Sequence, residues 1–194
     1  MIQLPSGKFY SAPYVIKAPI LFPIVAILII FLVIQVRKRE KLTTYTFCSI
    51  TIFTIYLYFL TAVTLFPINY YPIGSEIYNI PFGKQMMYNF NILNLFSYNK
   101  NQLIGNFILL MPFSFFISIL KEKYAHPRTN FIMLIKISLS IEILQLVTNY
   151  FYIGSRIFDI NDLILNIFGG FCGYIIFTAI KKIFSKEIDI FRIG

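Results

Sequence analysis

The chain alternates between long apolar runs and short polar connections. Five of the runs approach or exceed the ~20 residues needed to cross a ~30 Å hydrocarbon layer. They cover roughly residues 18–36, 43–66, 103–120, 130–149 and 163–180. This pattern predicts an all-α protein, a polytopic transmembrane helix bundle of about five spans. The connection at 67–102 is too aromatic for a disordered linker, and Pro67, Pro72 and Pro81 break it too often for it to span. It reads as an extracytoplasmic interfacial or partly re-entrant segment, with Tyr and Phe at headgroup depth. Four regions follow: two N-terminal spans with a basic turn (1–66), the interfacial segment (67–102), a three-span core (103–180) and a basic tail (181–194).

Composition agrees with the pattern. The chain is 58% hydrophobic and 13% charged, whereas a soluble domain is about 45–50% apolar and about 25% charged. A net charge of +9 would suggest nucleic acid in a soluble chain. Here the basic residues form short clusters between apolar runs and leave no basic face, so nucleic acid is not an expected partner. The first run is not a cleavable signal, because its basic cluster, Arg37 to Lys41, follows it instead of preceding it. Placing that cluster inside puts eleven basic residues on the cytoplasmic side: Arg37, Lys38, Arg39, Lys41, Lys121, Lys123, Arg128, Lys181, Lys182, Lys186 and Arg192. Five then lie outside, namely Lys8, Lys17, Lys84, Lys100 and Arg156, while Lys136 can snorkel from the inner end of the fourth span. The positive-inside rule therefore predicts an outer N-terminus and a cytoplasmic C-terminus. Cys48 and Cys172 lie in apolar runs and make no disulfide framework, and the single histidine, His126, argues against zinc.

The candidate chemistry lies in SLSIEILQLVTNYFYIGSRIFDINDLILNIFGGFCGY, residues 138–174. An ionisable side chain at the bilayer centre costs about 2.5–3.5 kcal/mol on insertion scales, so polar residues repeated at helical spacing there call for a reason. Glu142, Gln145 and Asn149 share one face of the fourth span at i, i+3 and i+7. Asp159, Asp162, Asn166, Gly169 and Gly173 form a stripe on the fifth, with spacing 3, 4, 3, 4. The third span opens with Gly105-Asn106, which brings Asn106 to the same depth, and Pro112 is expected to kink that span. The expected site is thus one outward-facing polar cavity built from Asn106, Glu142, Gln145, Arg156, Asp159, Asp162 and Asn166. Arg156 would be the counter-charge, and Gly169-x-x-x-Gly173 would pack the fifth span against its neighbours. Polar residues also lock membrane helices together, at about 0.6 kcal/mol per contact, so a non-catalytic scaffold stands beside the functional reading.

These residues carry a family resemblance. Gly105-Asn106 with Pro112, Ser140-x-Glu142-x-x-Gln145, and Arg156-x-x-Asp159-x-x-Asp162-x-x-x-Asn166-x-x-Gly169-x-x-x-Gly173 resemble the VanZ-like family of bacterial integral membrane proteins. Tyr78-Asn79-Ile80-Pro81-Phe82 is similar to an Asn-Leu-Ile-Pro-Phe segment of that family, with Ile80 in place of Leu. The resemblance covers about 78–174; residues 1–66 match in hydropathy alone. It implies a multi-pass protein of the bacterial plasma membrane and cell envelope, and, through the family's founding member, a link to teicoplanin resistance.

Three functions compete. The first is a protein that binds or moves an envelope lipid or lipid-linked cell-wall precursor, with Glu142 as a proton- or cation-linked switch. The second is an intramembrane enzyme acting on a lipid headgroup, with Glu142, Asp159 and Asp162 as acid/base groups or as oxygen ligands of a divalent cation. The third is the scaffold. There is no Ser/His or Cys/His pairing, no two-histidine metal motif and no phosphate-cradling glycine loop, so the sequence leans away from an enzyme and calls for no resident cofactor or metal.

Overall fold

The computed structural model describes residues 2–4, 6–38 and 44–184. Among these residues, five helical segments are long and apolar enough to cross a membrane: Ala18–Gln35, Thr44–Leu65, Lys100–Leu120, Pro127–Tyr150 and Ile160–Ile183. The expected all-α bundle of five spans is therefore present. Arg39 and Lys41 of the first basic cluster, and Lys186 and Arg192 of the tail, lie outside the described residues.

We name the helices α1 (Phe22–Lys38), α2 (Thr44–Leu65), α3 (Lys100–Leu109), α4 (Met111–Leu120), α5 (Pro127–Tyr150) and α6 (Ile160–Ile183). Several boundaries are set by side chains. Asn99 caps α3 by accepting the Gln102 amide at 2.8 Å, and Asp159 caps α6 by accepting the Asn161 amide at 2.9 Å. Pro127 opens α5, at a position where its missing N–H costs nothing.

The third span is two helices. It breaks at Leu110 (φ −97°, ψ 0°), two residues before Pro112, which lacks an N–H and whose ring clashes with the carbonyl four residues back in a straight helix. The Tyr56 hydroxyl of α2 donates to the Leu109 carbonyl at 2.7 Å and faces the Phe113 amide. One hydroxyl thus enters the ladder between residues i and i+4, where lipid has no water to offer.

α6 lies at the centre, packed against α3, α4 and α5. Its glycines explain how closely it approaches them. A Cβ on Gly169 would collide with the Phe107 carbonyl oxygen, and one on Gly173 with the Met111 carbonyl oxygen. Both obstacles are backbone, on either side of the break in the third span. At Gly170 the obstacle is instead a side chain, that of Leu134 on α5. Small residues that let backbones touch are the membrane substitute for a hydrophobic driving force. Leu110, Met133, Leu134 and Ile141 fill one buried cluster, and Tyr174 with Phe177 another.

Among the described residues, six short strands, which the hydropathy pattern does not reveal, build a cap on one end of the bundle: β1 (Ile2–Gln3), β2 (Phe9–Tyr10), β3 (Tyr14–Ile16), β4 (Ile68–Tyr70), β5 (Tyr88–Asn89) and β6 (Phe158–Asp159). β1 pairs with β2 and β3 with β4, both antiparallel, whereas β5 and β6 run parallel. The N-terminal segment, residues 67–99 and the α5–α6 connection therefore meet at the same end. Ile2, Tyr71, Ile77 and Tyr152 form the core of the cap. Tyr152 holds a left-handed backbone (φ 62°) and donates its hydroxyl to the carbonyls of Ile80 and Pro81 at 3.0 and 3.1 Å. Its ring lies 5.0 Å from that of Phe82, so the Ile80-Pro81-Phe82 motif is the seat of this tyrosine.

Gly169→Ala should destabilise the bundle by roughly 1–3 kcal/mol or more, as overpacking does. Gly105→Ala, within α3 where a Cβ meets nothing within 4 Å, should keep stability or raise it by up to about 1 kcal/mol. Thermal unfolding of the detergent-purified protein checks both, and equal behaviour of the two variants would refute the backbone contact.

Candidate functional site

The α5–α6 turn brings the polar residues together. Glu142, Gln145 and Asn149 fall on one face of α5, and all three are buried. Gln145 donates to the Thr64 carbonyl at 3.0 Å, which ties α5 to the end of α2. Asn149 donates to the Met86 carbonyl at 2.8 Å, while Gln85 donates back to the carbonyls of Asn149 and Tyr150. This reciprocal latch closes the C-terminal end of α5, whose last carbonyls have no partner within the helix.

Asp159 is the hub. Its backbone amide donates to Glu142 Oε2 at 2.9 Å. Its Oδ1 caps α6, and its Oδ2 accepts from Asn89 Nδ2 at 3.0 Å and from the Tyr98 hydroxyl. Pairing of β5 with β6 sets Asn89 opposite Asp159, which is why a residue seventy positions away reaches it. Asn161 donates to the Asn91 carbonyl at 3.0 Å and to the Tyr98 oxygen at 3.3 Å. Burial, assisted by the bond to the Asp159 carboxylate, pushes the Tyr98 hydroxyl from 10.0 up to about 12. Tyr98 is therefore a neutral donor to Asp159 at physiological pH.

A cavity of about 460 Å³ opens beside this hub. Gln145, Arg156, Asp159 and Asp162 line it, together with Asn89, Asn94, Tyr98 and Gln102. Arg156 stands exposed at the rim, and its charge acts on both Glu142 and Asp162. Gln102 and Asn106 flank the Asp162 carboxyl, yet Asp162 Oδ1 and Asn106 Nδ2 have no hydrogen-bond partner in the structure, and neither does Asn166 Oδ1. Buried polar atoms are rarely left unpaired, so these three mark the stretch of the α3–α6 interface that is least satisfied by the protein itself.

Of the seven residues expected around one cavity, four line it. Glu142 sits behind the wall at 1% exposure, with its Oε2 engaged by a backbone amide. Asn106 and Asn166 are not among the lining residues. Among the described residues, no group of three His, Cys, Asp or Glu side chains is placed to hold a metal ion. Sequence reasoning missed Asn89, Asn94 and Tyr98 of the cap, Gln102 of α3 and Asn161 in the first turn of α6. The signal was the run of asparagines at 89, 91, 94, 99 and 101, which reads as compositional bias until the β5–β6 pairing aims it at α6.

A family model described as VanZ/LLP1 matches residues 53–182. The match takes in more than half of the 194-residue chain, and the chain belongs to this family. It extends the resemblance beyond residues 78–174 to include the second half of α2, whose Tyr56 and Thr64 touch α3 and α5. No curated protein and no solved structure gives a significant match.

Glu142→Gln keeps an oxygen acceptor for the Asp159 amide and should preserve stability. Glu142→Leu leaves that buried amide unpaired and should cost about 1–3 kcal/mol, measured by unfolding in detergent. Tyr98 gives a pH signature. Its hydroxyl holds the proton more tightly when folded, so its contribution is complete below pH 10 and declines as pH rises toward about 12. Tyr98→Phe should flatten the alkaline limb of an unfolding-versus-pH profile, and an unchanged limb would refute the assignment.

Proposed function

We propose that this member of the VanZ/LLP1 family binds or moves an envelope lipid or a lipid-linked precursor through the polar cavity at the α5–α6 end of its bundle. The observation that carries the reading is the lining of that cavity: one guanidinium, two carboxylates and several amides, at one end of helices long and apolar enough to cross a membrane. The Arg156 fork suits a phosphate oxygen pair, while Asp159, Asp162 and the amides suit amine or hydroxyl groups on the same headgroup. The excess of basic residues in the other connections supports an outer N-terminus, a cytoplasmic C-terminus and a cavity that faces out of a bacterial plasma membrane. Changed susceptibility to teicoplanin is the phenotype that the family resemblance attaches to this reading.

An enzyme acting on such a headgroup is the second reading, and its candidate base is Asp162 in place of Glu142. Asp162 lines the cavity and has an unpartnered oxygen, whereas both oxygens of Asp159 accept hydrogen bonds within the protein and Glu142, which does not line the cavity, gives its Oε2 to a backbone amide.

Deletion of the gene, followed by lipid profiling and glycopeptide susceptibility, tests both readings. Under the binding reading, Arg156→Gln fails to complement, and Asp162→Asn, which keeps its acceptor oxygen, complements largely. Under the enzyme reading, Asp162→Asn behaves as the deletion. Full complementation by Arg156→Gln would sink the binding reading. Orientation has a separate measurement: Phe90→Cys should react with impermeant reagents added from outside the cell, and labelling only from the cytoplasm would invert the assignment.

A further inference from the structure

The opposite end of the bundle carries a second cavity, of about 550 Å³, where the α4–α5 connection meets the start of α5. Lys123, Arg128 and Lys136 line it, with Ile132, Met133 and Ile137 as its apolar wall. Arg128, Ile132 and Lys136 recur every fourth residue, so they share one face of α5, and the two charges stand about 12 Å apart along the axis. Met133 is buried, whereas Ile132 and Lys136 are exposed. On a spanning helix, exposed means lipid-facing. Lys136 is the costly member: it lies nine residues into a spanning helix, among exposed Ile132, Ile135 and Leu139, where a bare ammonium is expensive. The side chain must run toward the interface, which is where Arg128 and Lys123 lie. Glu122, on the same connection, does not line the cavity. The result is a cluster of cations above an apolar wall open to the bilayer.

We propose that this cavity holds the phosphate headgroup of an anionic phospholipid, clasped by Lys123, Arg128 and Lys136, with an acyl chain laid along Ile132 and Ile137. The charges match a phosphodiester with no compensating cation of its own, and the apolar wall matches a lipid in preference to free phosphate. Basic pockets beside spanning helices take anionic headgroups for this reason. The site is independent of the cavity at the α5–α6 end and of the function proposed for it.

Titration of the full-length protein in detergent micelles with phosphatidylglycerol, phosphatidylcholine and inorganic phosphate tests the proposal. The wild type should prefer phosphatidylglycerol, and inorganic phosphate should not displace it. Lys136→Gln and Arg128→Gln should each weaken phosphatidylglycerol binding about five-fold and leave phosphatidylcholine binding unchanged. Lys123→Gln, outside the spanning segment, should act in the same direction even where a variant within α5 folds poorly. Arg156→Gln, at the other end, should keep the preference. Equal affinity for the two lipids, displacement by inorganic phosphate, folded cation variants with wild-type affinity, or loss of the preference in Arg156→Gln would each overturn it.

Discussion

Backbone contact between α6 and the broken third span is the constraint on which the rest of the structure depends. Gly169 lies against the Phe107 carbonyl and Gly173 against the Met111 carbonyl, with no room for a side chain at either point. In lipid, apolar side chains gain nothing by meeting one another, so close packing and hydrogen bonds decide which helices associate. The contact fixes both the rotation and the height of α6. Since Asp162 and Asn166 continue the glycine stripe, it also sets them toward Asn106 and Gln102 on α3.

The break in the third span belongs to the same arrangement. Pro112 disfavours a straight helix through this point, and the Tyr56 hydroxyl at the Leu109 carbonyl makes the break tolerable inside a membrane. A helix without that break would present a different surface to Gly169 and Gly173. The residues that build the bundle and those that build the candidate site are thus neighbours on the same stripe, and substitution in one group acts on the other.

The two ends of the bundle have different chemistry. At the α5–α6 end, acids and amides are bound into a hub around Asp159, covered by a cap of short strands, with Arg156 as the cation in the cavity lining. At the α4–α5 end, three cations line an apolar wall. At this same end, Ser114, Ser118 and Asn130 form a fully buried network in which Asn130 accepts from Ser114 at 2.8 Å and donates to Ser118 at 2.9 Å. That network is internally satisfied and ties α4 to α5. Asn106, Asp162 and Asn166 keep unpartnered atoms by contrast, as do Asn69, Gln85 and Asn161, so the polar groups with capacity left over gather at the α5–α6 end and along the α3–α6 interface.

By itself, the sequence determined the spans, the polar face of α5, the glycine stripe of α6 and the family, because hydropathy and helical periodicity are local properties that any membrane helix must display. It also placed Gln145, Arg156, Asp159 and Asp162 in one region, since all four sit on or between two consecutive helices. Tertiary structure alone decided that Glu142 holds a backbone amide behind the cavity wall, and that Asn89 and Tyr98 join the site through a parallel pairing of two-residue strands. Such pairings carry too few residues to leave a period in the chain, and their partners lie seventy positions apart. The register of β5 on β6 and the glycine contacts of α6 are global facts of packing, and they settle which polar residues face the cavity and which serve the frame.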